Sequence, residues 1–107
     1  MRNESDVKKR VKQILKELGA WWYMPVPTGY GVQGIPDFIV CYKGLFIAIE
    51  TKYGKNKCSK WQAIRLDEIR DHGGQSMVIN ENTVEFLRDY IVSHTISWLG
   101  KDHPWQP

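Results

Sequence analysis

The sequence has few cysteines and no long apolar run, and each shortage excludes a class of protein. Two cysteines, Cys41 and Cys58, are too few for a disulfide framework, and neither has the CxxC or histidine spacing of a zinc site. No apolar stretch approaches the roughly 20 residues that span a bilayer, and the first residues lack the apolar stretch of a signal peptide. We therefore expect reduced thiols and a cytoplasmic protein, located in the host cell cytoplasm if a phage encodes it.

The charge is nearly balanced, so composition alone identifies no partner. Fifteen basic and twelve acidic residues give a formal net charge of +3, and such a mildly basic chain permits a polyanionic partner without requiring one. The 107 residues suffice for one domain with a single core. The sequence contains no internal repeat and no low-complexity linker.

The stretch 35–52 predicts a β-hairpin. Val, Ile, Phe and Tyr dominate both of its arms, which are too short for helices. The dipeptide Lys43-Gly44 can close a tight turn, although less well than Asn-Gly. Antiparallel pairing outward from that turn sets Asp37 directly against Glu50.

The two opposed carboxylates and one lysine suggest a metal site. Asp37 and Glu50 would face each other at the end of an apolar hairpin, where like charges destabilise the pairing. The alternation of a strand points Lys52 to the same face as Glu50. A hard divalent cation such as Mg²⁺ resolves the conflict, because it takes carboxylate oxygens and fills its remaining positions with water and substrate phosphate.

Two short motifs resemble those of the PD-(D/E)XK nuclease superfamily: Pro36-Asp37 at the start of one strand and Glu50-Thr51-Lys52 at the end of the next. The small size and two further motifs resemble, more narrowly, the standalone VRR-NUC branch: Gly34-Ile35-Pro36-Asp37 and Ser59-x-x-Gln62. The resemblance spans residues 4 to 91.

The resemblance implies an Mg²⁺- or Mn²⁺-dependent DNA endonuclease that hydrolyses phosphodiester bonds. By this likeness Asp37, Glu50 and the main-chain carbonyl of Thr51 hold the metal. Lys52 orients the attacking water or offsets charge on the scissile phosphate. Standalone VRR-NUC domains resemble Holliday-junction resolvases in being homodimers, so we expect a homodimer that acts on structured DNA such as four-way junctions.

Two more side chains are candidates for the catalytic site. Glu4 lies within about 20° of Val11 on the helix predicted over 3–18, in the centre of its apolar stripe. It is either a first-turn acid stabilised by the helix dipole or, as the resemblance implies, a carboxylate near the metal. Gln62 lies on the apolar side of a second helix, capped by Ser59, and either bonds nearby backbone or supports the site.

The candidates for DNA contact follow the hairpin or precede it: Tyr30, Lys55, Lys57, Lys60 and Arg65. The basic residues come soon after Lys52, although solvated surface is the plain alternative. Tyr30 lies in a GxGxxG stretch, which we do not assign to a dinucleotide because Pro36 and a β-rich strand follow it. The loop either lets backbone approach a phosphate, with Tyr30 stacking on a base, or simply connects two strands.

The remaining patterns complete an α/β fold. They predict strands over 21–26 and 75–80 and a last helix, opened by a capping box at 82–85 and running through Ile91. The order matches the restriction-endonuclease-like αβββαβ core, a mixed sheet flanked by helices. We assign 1–92 to a VRR-NUC-like nuclease domain and 93–107 to a tail that packs on the domain or on a dimer partner.

Two other classes of protein stay open. A non-catalytic nucleic-acid-binding module would have no need for Asp37, Glu50 and Lys52 on one face. A metal-free structural or interaction domain would tolerate alanine at Asp37.

Overall fold

The computed structural model describes residues 1–27, 29 and 31–95. In chain order the elements are α1 (Glu4–Leu18), β1 (Trp21–Tyr23), β2 (Phe38–Tyr42), β3 (Leu45–Thr51), α2 (Lys60–Asp71), β4 (Gln75–Ile79), a 3₁₀ turn (Val84–Phe86) and α3 (Leu87–Ser93). The sheet order is β1-β2-β3-β4; the first two pairs of strands are antiparallel and β3 pairs parallel with β4. The predicted α/β fold, a mixed sheet flanked by helices, is confirmed.

The hairpin of β2 and β3 closes as the sequence predicts. Lys43 and Gly44 have φ of 46° and 83°, the positive values that a two-residue type I′ turn requires at both positions. Pairing runs from Tyr42↔Leu45 outward to Phe38↔Ile49. The expected next pair, Asp37 with Glu50, is not part of the ladder.

The main core lies on one face of the sheet, between the strands, α1 and α3. The buried stripe of α1 consists of Val7, Val11, Ile14 and Leu15, and each such side chain contributes about 1.5–3 kcal/mol when it leaves water. The helix is fixed at both ends: the Asn3 side chain accepts from the Asp6 amide, and Gly19 ends it in the left-handed conformation.

The opposite face is covered by α2 with much less apolar burial. Leu66 is the buried residue of this helix, and the Ser76 hydroxyl of β4 donates to its carbonyl at 2.8 Å. Ala48 pairs with Ser76 in the parallel ladder, so strand alternation assigns Glu50 to this same face. The site residue Glu50 is therefore buried on the face that α2 covers, where fewer apolar side chains are buried.

Two sequence predictions of element ends are wrong. The first strand ends at Tyr23 rather than at residue 26, because only Trp21–Tyr23 pair with β2 and Pro25 has no amide to donate. The capping box over 82–85 does not form, because the Glu85 carboxylate accepts two hydrogen bonds from Arg10, at 2.8 Å each.

Two predictions fall on residues that the structure does not describe. The tail is described only as far as Thr95, and Tyr30 is likewise outside the described residues. Within the described part of the chain, no helix combines the length and apolar character needed to cross a membrane.

Candidate active site

Asp37 lies at the entrance of β2 and is held by Thr51, at the end of β3. Its Oδ2 accepts from the Thr51 amide at 2.9 Å and from the Thr51 hydroxyl at 2.6 Å. The Asp37 side chain thus takes the Thr51 amide, which explains why the backbone ladder stops one pair short of Glu50. In an extended strand the N–H and C=O of one residue face the same neighbour, so the Thr51 carbonyl also faces the side of Asp37.

Glu50 is a buried carboxylate with only one of its oxygens in use. Its side chain is 3% exposed, and Oε2 lies 3.3 Å from Lys52 Nζ and 3.0 Å from Gln62 Nε2. Within the described residues, Oε1 is buried and accepts no hydrogen bond. A buried acceptor without a donor is unfavourable, so this oxygen is free to bind a cation.

The ionisation of Glu50 is strongly perturbed. Burial, and next the negative charge of Asp37, raise its pKa to about 7, although the positive charge of Lys52 opposes this rise. Desolvation and a like-charged neighbour both disfavour the ionised form. In the metal-free chain Glu50 therefore keeps a proton to higher pH than an exposed glutamate does, and Lys52 only partly offsets the cost of its ionisation.

Gln62 joins the start of α2 to Glu50. Its side-chain Oε1 accepts from the main-chain N–H of Ser59 at 2.9 Å, and its main-chain N–H donates to the Ser59 hydroxyl at 3.2 Å. These two hydrogen bonds complete a capping box. Its Nε2 donates to Glu50. Gln62 thus makes the local backbone bond that the sequence left open and also contacts Glu50. Its support of a metal-bound water or of Lys52 stays a prediction.

Gly34 sets how closely the glycine loop approaches α2. Its φ is +79°, and a β-carbon there would lie 2.4 Å from the Trp61 carbonyl carbon and 2.6 Å from the Gln62 nitrogen. The sequence left open a phosphate approach and a plain connection between strands for this loop. At Gly34 the structure shows packing against the first turn of α2, and the phosphate approach stays a prediction.

Lys8 is a residue of the site that the sequence analysis missed. Its Nζ lies 3.3 Å from Glu4 Oε2 and 3.8 Å from Asp37 Oδ1. The spacing of Glu4 and Lys8, one helical turn, could have indicated the first contact, but nothing in the sequence indicates the second. Glu4 faces Lys8, and its role toward a metal stays a prediction.

The described residues contain no group of three or more His, Cys, Asp or Glu side chains arranged to hold a metal. Two carboxylates suffice for Mg²⁺, which keeps several waters and takes substrate oxygens. Oxygen donors alone also match the preference of Mg²⁺ and Mn²⁺. The donor set therefore fits a hard cation that is shared with substrate.

The predicted DNA contacts lie in different surroundings. Lys55, Lys57 and Lys60 are exposed, on or next to a loop whose Gly54 amide donates to the Glu81 carboxylate at 3.0 and 3.1 Å. Arg65 is engaged within the chain: Nε donates to the Gln33 carbonyl at 2.9 Å, and Nη1 lies 2.6 Å from Glu68. These DNA roles stay predictions.

A cleft of about 470 Å³ opens beside the site, lined by Pro25, Val26, Pro27, Gly29, Gly31, Val32, Gln33, Gly34, Ile35, Asp37 and Gln62. Its polar lining residues are Gln33, Asp37 and Gln62, and the glycine loop contributes Gly29, Gly31 and Gly34. A larger cavity of about 670 Å³, between Ile35, Phe46 and Ile69, is lined by neither Asp37 nor Glu50. Asp37 lines the smaller cleft and Glu50 does not, so a substrate in this cleft would meet Asp37 and the Gln62 side chain that contacts Glu50.

Among solved structures that match this chain is one named "VRR_NUC domain". The match has a TM-score of 0.67 and 23% sequence identity, and it covers 87% of this chain and 97% of that chain. The two chains share a fold. Neither a protein-family model nor a curated protein matches the sequence.

Proposed function

We propose that this chain is a metal-dependent endodeoxyribonuclease, a VRR-NUC member of the PD-(D/E)XK superfamily. The observation that carries the proposal is the pair Asp37 and Glu50, in the fold of a VRR_NUC domain, with Lys52 3.3 Å from Glu50. Burying a carboxylate that has one oxygen without a hydrogen-bond donor lowers the stability of the fold. Such a feature is typical of a functional site.

Asp37, Glu50 and the Thr51 carbonyl would hold Mg²⁺ or Mn²⁺. Support comes from the unpartnered Oε1 of Glu50 and from the second oxygen of Asp37, whose contact with Lys8 at 3.8 Å is loose. When bound, the cation polarises the phosphate and lowers the pKa of a water. Thr51 orients Asp37 through two hydrogen bonds, which fixes one ligand before the cation arrives.

Lys52 and Gln62 act next to the cation. The Lys52 ammonium orients the attacking water or offsets charge that develops on the scissile phosphate, as preorganised charges do in buried sites. Gln62 keeps Glu50 in place through its amide, and its own position is fixed by the Ser59 cap. Glu4 supports the site from α1, directly or through water.

DNA is the proposed substrate, with the scissile strand in the cleft beside Asp37. The exposed lysines 55, 57 and 60 supply sequence-independent phosphate contacts, together with Tyr30 and Arg65. We further propose a homodimer that is selective for branched DNA such as four-way junctions. Light scattering tests the dimer: a mass equal to one 12.5 kDa chain would contradict it.

The test is cleavage of labelled four-way junctions, flaps and duplexes with Mg²⁺, Mn²⁺ or EDTA. We expect cutting only with metal, and a loss of about 10³-fold or more in Asp37→Asn, which keeps the shape but weakens a ligand. Asp67→Asn is the matched control, because this exposed acid on α2 pairs with Arg70, far from the carboxylate pair along the sequence. Binding without cutting, unaffected by Asp37→Asn, would instead indicate a non-catalytic nucleic-acid-binding module.

A further inference from the structure

We propose that Lys8 is an exchangeable counter-ion of Asp37, which neutralises this carboxylate in the metal-free protein and competes with a divalent cation for it. The inference rests on the proposed function, because it takes Asp37 and Glu50 as the ligands of that cation. It assigns a role to a residue on α1 that neither the hairpin nor its motifs include.

The two oxygens of Asp37 are held very differently. Oδ2 accepts two hydrogen bonds from Thr51, at 2.9 and 2.6 Å. Oδ1 has Lys8 at 3.8 Å, which is about 1 Å longer than a strong charge-assisted hydrogen bond. One oxygen is therefore fixed to the sheet, whereas the other is neutralised by a cation that can be replaced.

The two lysines of the site also differ. Lys52 is 15% exposed and lies against Glu50. Lys8 is 31% exposed and has a second carboxylate, Glu4, at 3.3 Å. Lys8 can thus leave Asp37 without losing its charge compensation, because Glu4 and water remain available to it.

Electrostatics gives the size of the competition. A single positive charge about 6 Å from a divalent cation, in a water-like dielectric, weakens binding of that cation about tenfold. A cation bound to Oδ1 of Asp37 would lie within about 6 Å of Lys8 Nζ, because Nζ is 3.8 Å from Oδ1 and the metal–oxygen bond adds about 2 Å. Removal of the Lys8 charge is expected to tighten binding by that factor.

The experiment is calorimetric titration of the full chain with Mn²⁺ in the absence of DNA. We expect Lys8→Gln to bind Mn²⁺ about tenfold more tightly than wild type, with the gain shrinking as salt rises. Lys8→Arg keeps the charge and should bind no more tightly than wild type. Lys9→Gln is the matched control, because it removes the same charge from an exposed position on the same helix; its affinity should stay within about twofold of wild type.

Each outcome decides the proposal. If Lys8→Gln melts cooperatively but binds Mn²⁺ no more tightly than wild type, the counter-ion role of Lys8 is overturned. The proposed function still stands in that case if wild type binds Mn²⁺ and cuts DNA. Absence of Mn²⁺ binding by wild type overturns both. If Lys8→Gln does not fold, Lys8→Met takes its place with the same expected gain, and equal or weaker binding by that variant overturns the role. A tighter affinity in Lys8→Arg contradicts the proposal by itself.

Discussion

At its closed end the β2–β3 hairpin turns through Lys43 and Gly44, and at its open end it carries Asp37 and Glu50. The closed end uses two positive φ values in the turn type that suits twisted strands, and Lys43 lies over the Tyr42 ring at 5.3 Å. The open end buries a carboxylate next to another negative charge. One hairpin therefore contains a turn that favours folding and a site that opposes it.

The difference teaches where to expect a conflict between stability and activity. Natural proteins retain unfavourable groups chiefly where function requires them. Substitutions at the closed end should change only the free energy of unfolding, whereas those at the open end should change activity, in one case while raising stability.

Among the basic residues of the site, the largest effect on cutting is expected from Lys52→Ala, which removes the amine of the open end. We expect the single-turnover rate of DNA cutting to fall by about 10²–10⁴-fold, the usual loss when one charged group at a reacting centre is removed. DNA binding, measured in EDTA, should change little, because the exposed lysines remain.

Lys57→Ala is the matched control, since it removes the same charge from the exposed loop that follows. It should weaken DNA binding slightly and leave the single-turnover rate near that of wild type. An unchanged rate in Lys52→Ala would remove this amine from the mechanism.

Glu50→Gln should inactivate the protein and yet stabilise it at high pH. The pKa of Glu50 is raised to about 7, so between about pH 4.5 and pH 7 the folded chain keeps a proton that the unfolded chain releases. Wild-type stability therefore falls as pH rises through this window and levels off above it. Relative to pH 4, the variant should gain about 1–3 kcal/mol on wild type by pH 8.

Urea denaturation at pH 4 and pH 8 in EDTA measures this gain. Millimolar Mg²⁺ at pH 8 should then stabilise wild type, because a bound cation favours the ionised carboxylate, and should have little effect on the variant. A difference between variant and wild type that is independent of pH would show that the carboxyl ionises freely in the fold.

The smallest effect is expected at the closed end, from Lys43→Asn. Asparagine adopts positive φ more readily than lysine, but the variant loses the contact with Tyr42, so we expect a net gain of about 0.5 kcal/mol in urea denaturation. Lys55→Asn provides the control, since Lys55 is exposed and has an ordinary negative φ. If Lys43→Asn is less stable than wild type and Lys55→Asn is not, the contact of Lys43 with Tyr42 contributes more stability than the better turn residue adds.

The sequence predicted those features that depend on short-range rules. The turn at Lys43 and Gly44 fixes the register of β2 and β3, and the apolar periodicity of α1 gives its extent to within one residue. These rules involve neighbours in the chain, so periodicity and turn chemistry are enough to apply them. The order of elements, and with it the αβββαβ fold, followed from the same patterns.

The remaining features depend on partners far apart in the sequence. Glu85 accepts a hydrogen bond from Arg10, 75 residues away, and therefore does not form the capping box that the sequence of residues 82–85 predicts. Lys8 reaches Asp37 only because α1 lies beside the open end of the hairpin. Helical projection gives the buried stripe of α1 but not its position along the sheet, so this contact could not be anticipated.

The absent β-carbon of Gly34 has a consequence for the whole cleft. The loop backbone rests directly on the backbone of Trp61 and Gln62, so the width between loop and helix is set by main chain alone and is indifferent to rotamer changes. A methyl group added at Gly34 would therefore push the start of α2 outward and move Gln62 away from the Glu50 carboxylate, without contacting the side chain of Gln62 or Glu50.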